Sequence, residues 1–161
     1  STHTIAYTLR GLLECSSFVD DDFRDEIIKA VTKASQIILD VYKQNYYNKR
    51  KVNGLLPGTF SEEWSTEAKY SCLTGNVQIS IIWLRLFQIS GDKSFLEYAI
   101  KNINQVKSTQ NLKCKNSGVR GGVAGSYPIW GQYINFGYPN WAAKFLADAI
   151  ILKGKLTAFT E

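Results

Sequence analysis

Glu62, Glu63 and Glu67 crowd one polar stretch, Gly54 to Ser71, while Asp148 interrupts an otherwise apolar segment. Hydrolysis of a glycosidic bond generally uses two carboxyls flanking that bond. Glu63 or Glu67 could act as the general acid, although an acid in a loop can equally be solvated and idle. A carboxylate inside an apolar helix needs a partner. Arg10, Lys144 or Arg85 could hold Asp148 in a structural ion pair, which competes with a catalytic role. His3 is the single histidine; it could serve as a general base, or lie in a frayed terminus. Trp64 and Trp130 sit among loop residues and are candidates for the wall of a binding site. Trp83 lies in an apolar run and reads as core.

Other chemistries fit the residues less well. The stretch from Gly118 to Gly125, GVRGGVAG, superficially resembles a phosphate-binding loop. No strand pattern precedes it and no Gly-Lys-Ser/Thr follows, so a nucleotide site is not expected. One histidine and three scattered cysteines give no zinc spacing, and neither a metal nor another cofactor is expected. Cys15, Cys72 and Cys114 are too few and too far apart for a disulfide framework. They read as reduced thiols, which leans slightly toward a cytoplasmic setting. The net charge of +5 comes from scattered Lys and Arg rather than a basic helix face, so no nucleic-acid partner is expected. No apolar run is long enough for a membrane span.

The elements that must position these residues follow from apolar periodicity. Asn76–Ile89 is apolar on nearly every side and must be covered all round. Thr74-Gly75-Asn76 and Ser90-Gly91-Asp92 supply its start and stop. Thr4–Glu14 and Asn140–Leu152 read as two further all-round apolar helices. Close packing is expected to offset the cost of Gly11 in the first, and Gly154 to stop the last. After a turn over Ser16–Asp22, Phe23 to about Tyr46 carries Ile27, Ile28, Val31, Ala34, Ile38, Val41 and Tyr42 at spacings of three and four. This is a long one-sided helix, ended by Asn48–Lys51 and Asn53-Gly54. Phe95–Thr109 is a second one-sided helix, with a capping-box pattern at Ser94-x-x-Glu97. Two long loops, Gly54–Ser71 and Gln110–Pro139, complete the chain; loops of such length are often functional. The fold class is therefore all-α, built of antiparallel helical hairpins in one domain over residues 1–161.

The order buried, one-sided, buried, one-sided, buried resembles the α/α toroids: six-hairpin glycosidases, polysaccharide lyases, sugar epimerases and terpene-cyclase-like proteins. The stretches HTIAYTLRGLLE, LTGNVQISIIWLRLF, GGVAGSYPIWGQY and YPNWAAKFLADA carry the resemblance, together with the placement of the loops. It covers most of the chain, without the catalytic motif of any one family. Two and a half hairpins cannot close a ring of six. With no Met in the chain, a C-terminal portion of a longer toroid that lacks its N-terminal hairpins is expected. The alternative is an open arc or a homo-oligomer, with the last helix exposed or covered by a second copy.

The resemblance implies that the long loops gather at one mouth and that the first turns of the inner helices face a cavity. Those turns carry His3, Tyr7 and Arg10; Asn76, Gln78 and Ser80; and Asn140, Trp141 and Lys144. With Trp64, Trp130 and Tyr133 they offer amides and aromatic faces, which suit a glycan or another small polar ligand. Asn76 and Asn140 could instead be helix caps. The function implied is carbohydrate processing or binding by a hydrolase, lyase or epimerase. The alternative is a noncatalytic helical-repeat scaffold for protein partners. An isoprenoid-processing toroid would need an acid-rich motif at the mouth, and Asp20–Asp22 stands elsewhere.

Overall fold

A computed structural model describes residues 1–48 and 54–158. Five helices account for most of it: α1 (Thr2–Cys15), α2 (Asp21–Asn48), α3 (Leu73–Ser90), α4 (Lys93–Ser108) and α5 (Asn140–Thr157). A 3-10 turn, Ser16–Phe18, joins α1 to α2. Two short strands, β1 (Ser71–Cys72) and β2 (Ser126–Tyr127), pair antiparallel. The all-α expectation holds, with this small ribbon as an addition. Among the described residues no helix is long and apolar enough to cross a membrane.

The all-round apolar run does form the inner element. Thirteen of the 18 residues of α3 are buried, from Leu73 through Leu84 and again at Leu86. A helix with no wet stripe can exist in water only when neighbours cover every face. α4 packs most extensively against it, then α5 and α1, with α2 touching it from behind. Trp83, fully buried, donates its indole N–H to the Ser35 carbonyl of α2 and lies 5.5 Å from the Tyr42 ring.

Direction follows from which ends meet. Thr2 and His3 of α1 lie against Gly75 of α3, and Trp141 of α5 bonds Tyr133 beside them. Near their other ends, Leu13 and Ser16 share a cleft with Gln88 and Ile89. Helices α1, α3 and α5 therefore run the same way. Asn102 of α4 reaches the Asn76 carbonyl at 3.0 Å, and Asn45 near the end of α2 reaches the Leu55 carbonyl. Helices α2 and α4 thus run back, as the hairpin reading expects.

Two of the three helices read as apolar all round are in fact one-sided. In α1 only Thr2, Ala6 and Leu9 are buried, while Tyr7 and Leu12 face outward. In α5 the buried set is Ala142, Phe145, Leu146 and Ala149, a stripe at three- and four-residue spacing. Trp141, Ile150 and Ile151 are exposed on its other side. Apolar count alone misjudged these helices, because burial depends on how many neighbours each has. Gly11 is likewise not a packing glycine: it is exposed, with nothing within 4 Å of where a Cβ would stand. Gly75 takes that role, since a Cβ there would lie 3.0 Å from the His3 backbone nitrogen.

Helix ends also differ from expectation in detail. Asp20, just before α2, accepts from the Phe23 N–H at 2.9 Å through its carboxylate, and Asp21 and Asp22 lie in the first turn of the helix. That placement suits the helix dipole. α2 runs to Asn48; of its proposed stop signals, residues 49–53 lie outside the described residues. α3 starts three residues earlier than expected, at Leu73, with the Cys72 sulfur accepting from the Gly75 N–H at 3.3 Å. It stops at Gly91, whose φ of 72° is the left-handed cap conformation. The capping box at Ser94 does not form: Asp92 caps α4 by accepting from the Ser94 N–H, and Glu97 pairs with Lys101 instead. Gly154 does not end α5, which continues to Thr157. A glycine inside a helix costs only about 1 kcal/mol, too little to break one already anchored.

Lys101 ties α4 to α2. Its ammonium lies 5.1 Å from the Tyr46 ring, 5.7 Å from Tyr47 and 4.6 Å from Tyr98, and 2.7 Å from the Glu97 carboxylate. Contacts of this kind at half-exposed sites are each worth about 0.5–1 kcal/mol. Lys101→Met is expected to lower stability by about 1 kcal/mol, since the stem packing survives while the charge is lost. Urea unfolding, read by the shift in midpoint at constant slope, checks this.

Candidate functional site

The two long loops are built differently from each other, and they meet. The first opens as core: Gly54 to Gly58 are all buried. Leu55 and Leu56 seal the top of α3, and the Thr2 N–H donates to the Gly58 carbonyl at 3.0 Å. Asn76 holds this plug. Its side chain accepts from the Leu56 N–H at 3.0 Å and donates to Ser71 Oγ at 2.7 Å and the Cys72 carbonyl at 2.8 Å. Asn76 is thus neither a cap nor a cavity residue. Asn140 is exposed and makes no cap either, the N-cap position being Pro139.

β1 and β2 bring the second loop onto the first. Ser71 pairs with Tyr127 and Cys72 with Ser126, and the Leu73 N–H extends the ladder to the Gly125 carbonyl. The Tyr127–Pro128 peptide is cis. A turn then closes from the Gly131 N–H to the Pro128 carbonyl at 2.8 Å. A Cβ on Gly131 would sit 2.7 Å from both Tyr70 Cβ and Ser126 Cβ, so only glycine lets these backbones meet. Tyr70 in turn lays its ring on Gly58, where a Cβ would be 2.2 Å away.

The result is an open groove of about 400 Å³ between residues 67–70 and 128–132. Trp130 forms one wall, 63% exposed and therefore free to stack. Tyr70 and Pro128 contribute further apolar surface; burial raises the Tyr70 phenol, which stays protonated and able to donate. Glu67, Lys69 and Gln132 add an acceptor, a cationic donor and an amide. Among the described residues Glu67 is the single carboxylate lining the groove.

The remaining candidates fall in three places. His3, Tyr7, Tyr133 and Trp141 gather where α1 and α5 begin. His3 lies 4.8 Å from Tyr7 and 4.9 Å from Tyr133, and the Trp141 indole donates to the Tyr133 hydroxyl at 3.1 Å. Partial burial lowers the His3 pKa, keeping the imidazole neutral near pH 7, and raises that of Tyr133. Gln78 of α3 is fully buried, and among the described residues neither end of its amide has a hydrogen-bond partner. The Thr74 hydroxyl lies near Tyr133 but has no partner at hydrogen-bonding distance.

On the outer face of α5, Lys144 pairs with Asp148 at 2.5 Å, and both side chains are substantially exposed. Lys144 and Arg10 also approach the Phe145 ring at 4.7 and 5.4 Å. The partner expected for Asp148 is therefore Lys144. In the first loop, Glu63 is exposed and accepts from Ser61 Oγ at 2.8 Å. That bond lowers its pKa, the opposite of what a general acid at neutral pH requires. Trp64 is half-buried against Phe60 with φ of 60°, and packs on the core instead of standing in the groove.

The structure thus joins Glu67 with Trp130, and His3 with Tyr7, Tyr133 and Trp141. It leaves Glu63 and Trp64 apart from both groups, while Lys144 shares a shallow pocket with Tyr7, Arg10 and Phe145. Lys69, Tyr70, Pro128 and Gln132 escaped sequence reasoning as a set, because a two-residue strand leaves no periodicity to read. The buried Cys72 thiol, pushed up to about 12 by burial, is no nucleophile. Among the described residues no three His, Cys, Asp or Glu side chains come together to hold a metal ion. Comparison with known proteins found no matching family, no similar curated protein and no similar solved structure.

Proposed function

We propose that this chain is a carbohydrate-binding helical-hairpin domain of the α/α-toroid kind, and that the groove between the two long loops holds a sugar unit. The supporting observation is the juxtaposition of the exposed Trp130 face with Glu67, Lys69 and Gln132 in one groove of about 400 Å³. Sugar C–H faces stack on indole while hydroxyls require paired donors and acceptors, and this groove offers both. Binding is favoured over two-carboxyl hydrolysis because, among the described residues, Glu67 is the one carboxylate that lines the groove. A buried helix with parallel α1 and α5 beside it and α2 and α4 running back supports the toroid reading.

A glycan array followed by calorimetry on the best ligand tests this reading. Trp130→Ala is expected to weaken that ligand at least about fivefold, because a lost ring face costs roughly 1–3 kcal/mol of truncated contact. Fold stability should change little, since the indole is mostly in water. A screen without any ligand, or a ligand held equally well by the variant, would remove the proposal. A second reading, a scaffold for protein partners, is favoured by the outward Tyr7, Leu12, Trp141, Ile150 and Ile151 of α1 and α5.

A further inference from the structure

We propose that the cleft between α1 and α3, at the end of these helices away from the long loops, binds a small organic anion. The ligand is a carboxylate or phosphate monoester carrying an apolar body. The cleft has a volume of about 440 Å³ and is open to solvent, within the size range of small-molecule sites. Arg10 from α1 and Arg85 from α3 line it from facing helices, with Ser16, Ser17 and Gln88 around them. Among the described residues neither guanidinium is within ion-pair distance of a carboxylate, whereas Arg24 pairs with Asp21 at 2.9 Å. Arg10 is held against the Phe145 ring. Arg85 donates one N–H to Gln88 Oε1 at 3.1 Å, which leaves the rest of its fork for a ligand.

Two arginines lining one cleft supply the forked donors that match the paired oxygens of a carboxylate or phosphoryl group. The apolar part of the ligand follows from Leu13, Ile81, Ile82 and Ile89, which also line the cleft. Two effects oppose an anion here. Glu14 lines the same cleft, and the negative ends of two helix dipoles lie beyond it. The dipole effect fades within the last turn, and Arg10 and Arg85 each stand five residues before their helix ends at Cys15 and Ser90. Two positive charges then face one negative charge.

Calorimetric titration of the full chain with phenyl phosphate, benzoate and inorganic phosphate at low salt is the test. At least one organic anion is expected to bind, and to weaken as salt rises. The head group that binds, phosphoryl or carboxylate, identifies the class. Arg10→Gln and Arg85→Gln should each weaken binding about tenfold, as loss of a charge-assisted bond does. Glu14→Gln should tighten it. Arg85 is exposed, so its variant should fold, and circular dichroism verifies this for both. Trp130→Ala should leave this binding unchanged, which separates the site from the sugar groove. The proposal is overturned if neither organic anion binds or if the double arginine variant binds as well as the parent. Inorganic phosphate binding as tightly as its phenyl ester would overturn the apolar component.

Discussion

Asn76→Ala is expected to lower the unfolding free energy by about 3–5 kcal/mol, a large part of the ~5–15 kcal/mol a domain of this kind possesses. The argument is one of orphaned groups. Asn76 is fully buried, and its side chain satisfies the Leu56 N–H, the Cys72 carbonyl and the Ser71 hydroxyl. Alanine leaves each of these in an apolar interior with no access to water, at about 1–3 kcal/mol for an unpaired buried donor or acceptor. The loss should be local in origin and global in effect, because Leu55 and Leu56 seal the end of α3 only while that carboxamide holds their backbone. Thermal unfolding should fall by roughly 10 °C, given about 2–4 °C per kcal/mol at this chain length. A fall of under 2 °C would mean that water replaces the carboxamide and that the plug is not held as described.

Asn76→Asp gives a companion result with a definite sign. The carboxylate keeps the bond from Leu56 but faces the Cys72 carbonyl without a proton to donate. Burial raises its folded pKa above the unfolded value. The folded state then binds more protons than the unfolded state between those two values, so stability falls as pH rises through that window. The variant should therefore lose ground against the parent from pH 4 to pH 7, and stability curves at both values display this.

Trp83→Ala carries the other large effect, about 3–5 kcal/mol, the usual range for removing a large buried ring. Trp83 is fully buried where α3 meets α2, and its ring rests on Tyr42. Tyr42, buried as well, bonds Gln105 of α4 through its hydroxyl. The cavity thus opens where three helices meet, and relaxation on one side would strain the other two. Trp83→Phe should cost less than half as much, because most of the volume remains and the Ser35 carbonyl loses only a long 3.3 Å bond. Urea denaturation of both variants gives the comparison. Equal losses would show that the indole N–H, and not the packing, dominates.

How far the sequence could be read depended on whether the answer was local. The inner position of α3 was legible, since a segment with no wet face leaves its surroundings no choice. The one-sided character of α2 and α4 was legible for the same reason, from spacing alone. α1 and α5 were misread because they hold enough apolar residues to be buried, but too few neighbours to bury them. Tyr7, Leu12, Ile150 and Ile151 carry that difference. From sequence Asn76 reads as a helix cap or a cavity residue, and the structure buries it in neither role. Its task, holding the backbone of residues 20 positions earlier, is a tertiary fact that no local pattern encodes. The groove of Glu67 and Trp130 was half visible: both residues were candidates, but their meeting depends on β1 and β2, each too short to leave a periodic trace.

That ribbon has a consequence for how this molecule can change. Because Ser71–Cys72 and Ser126–Tyr127 are laced together, and Tyr70 touches the backbone at Gly131, neither loop has an independent shape. An engineer who transplants one of them alone would graft half a hinge. Recognition on this surface should be altered in matched exchanges, both halves carried across at once, with Gly58 and Gly131 kept as the fixed joints.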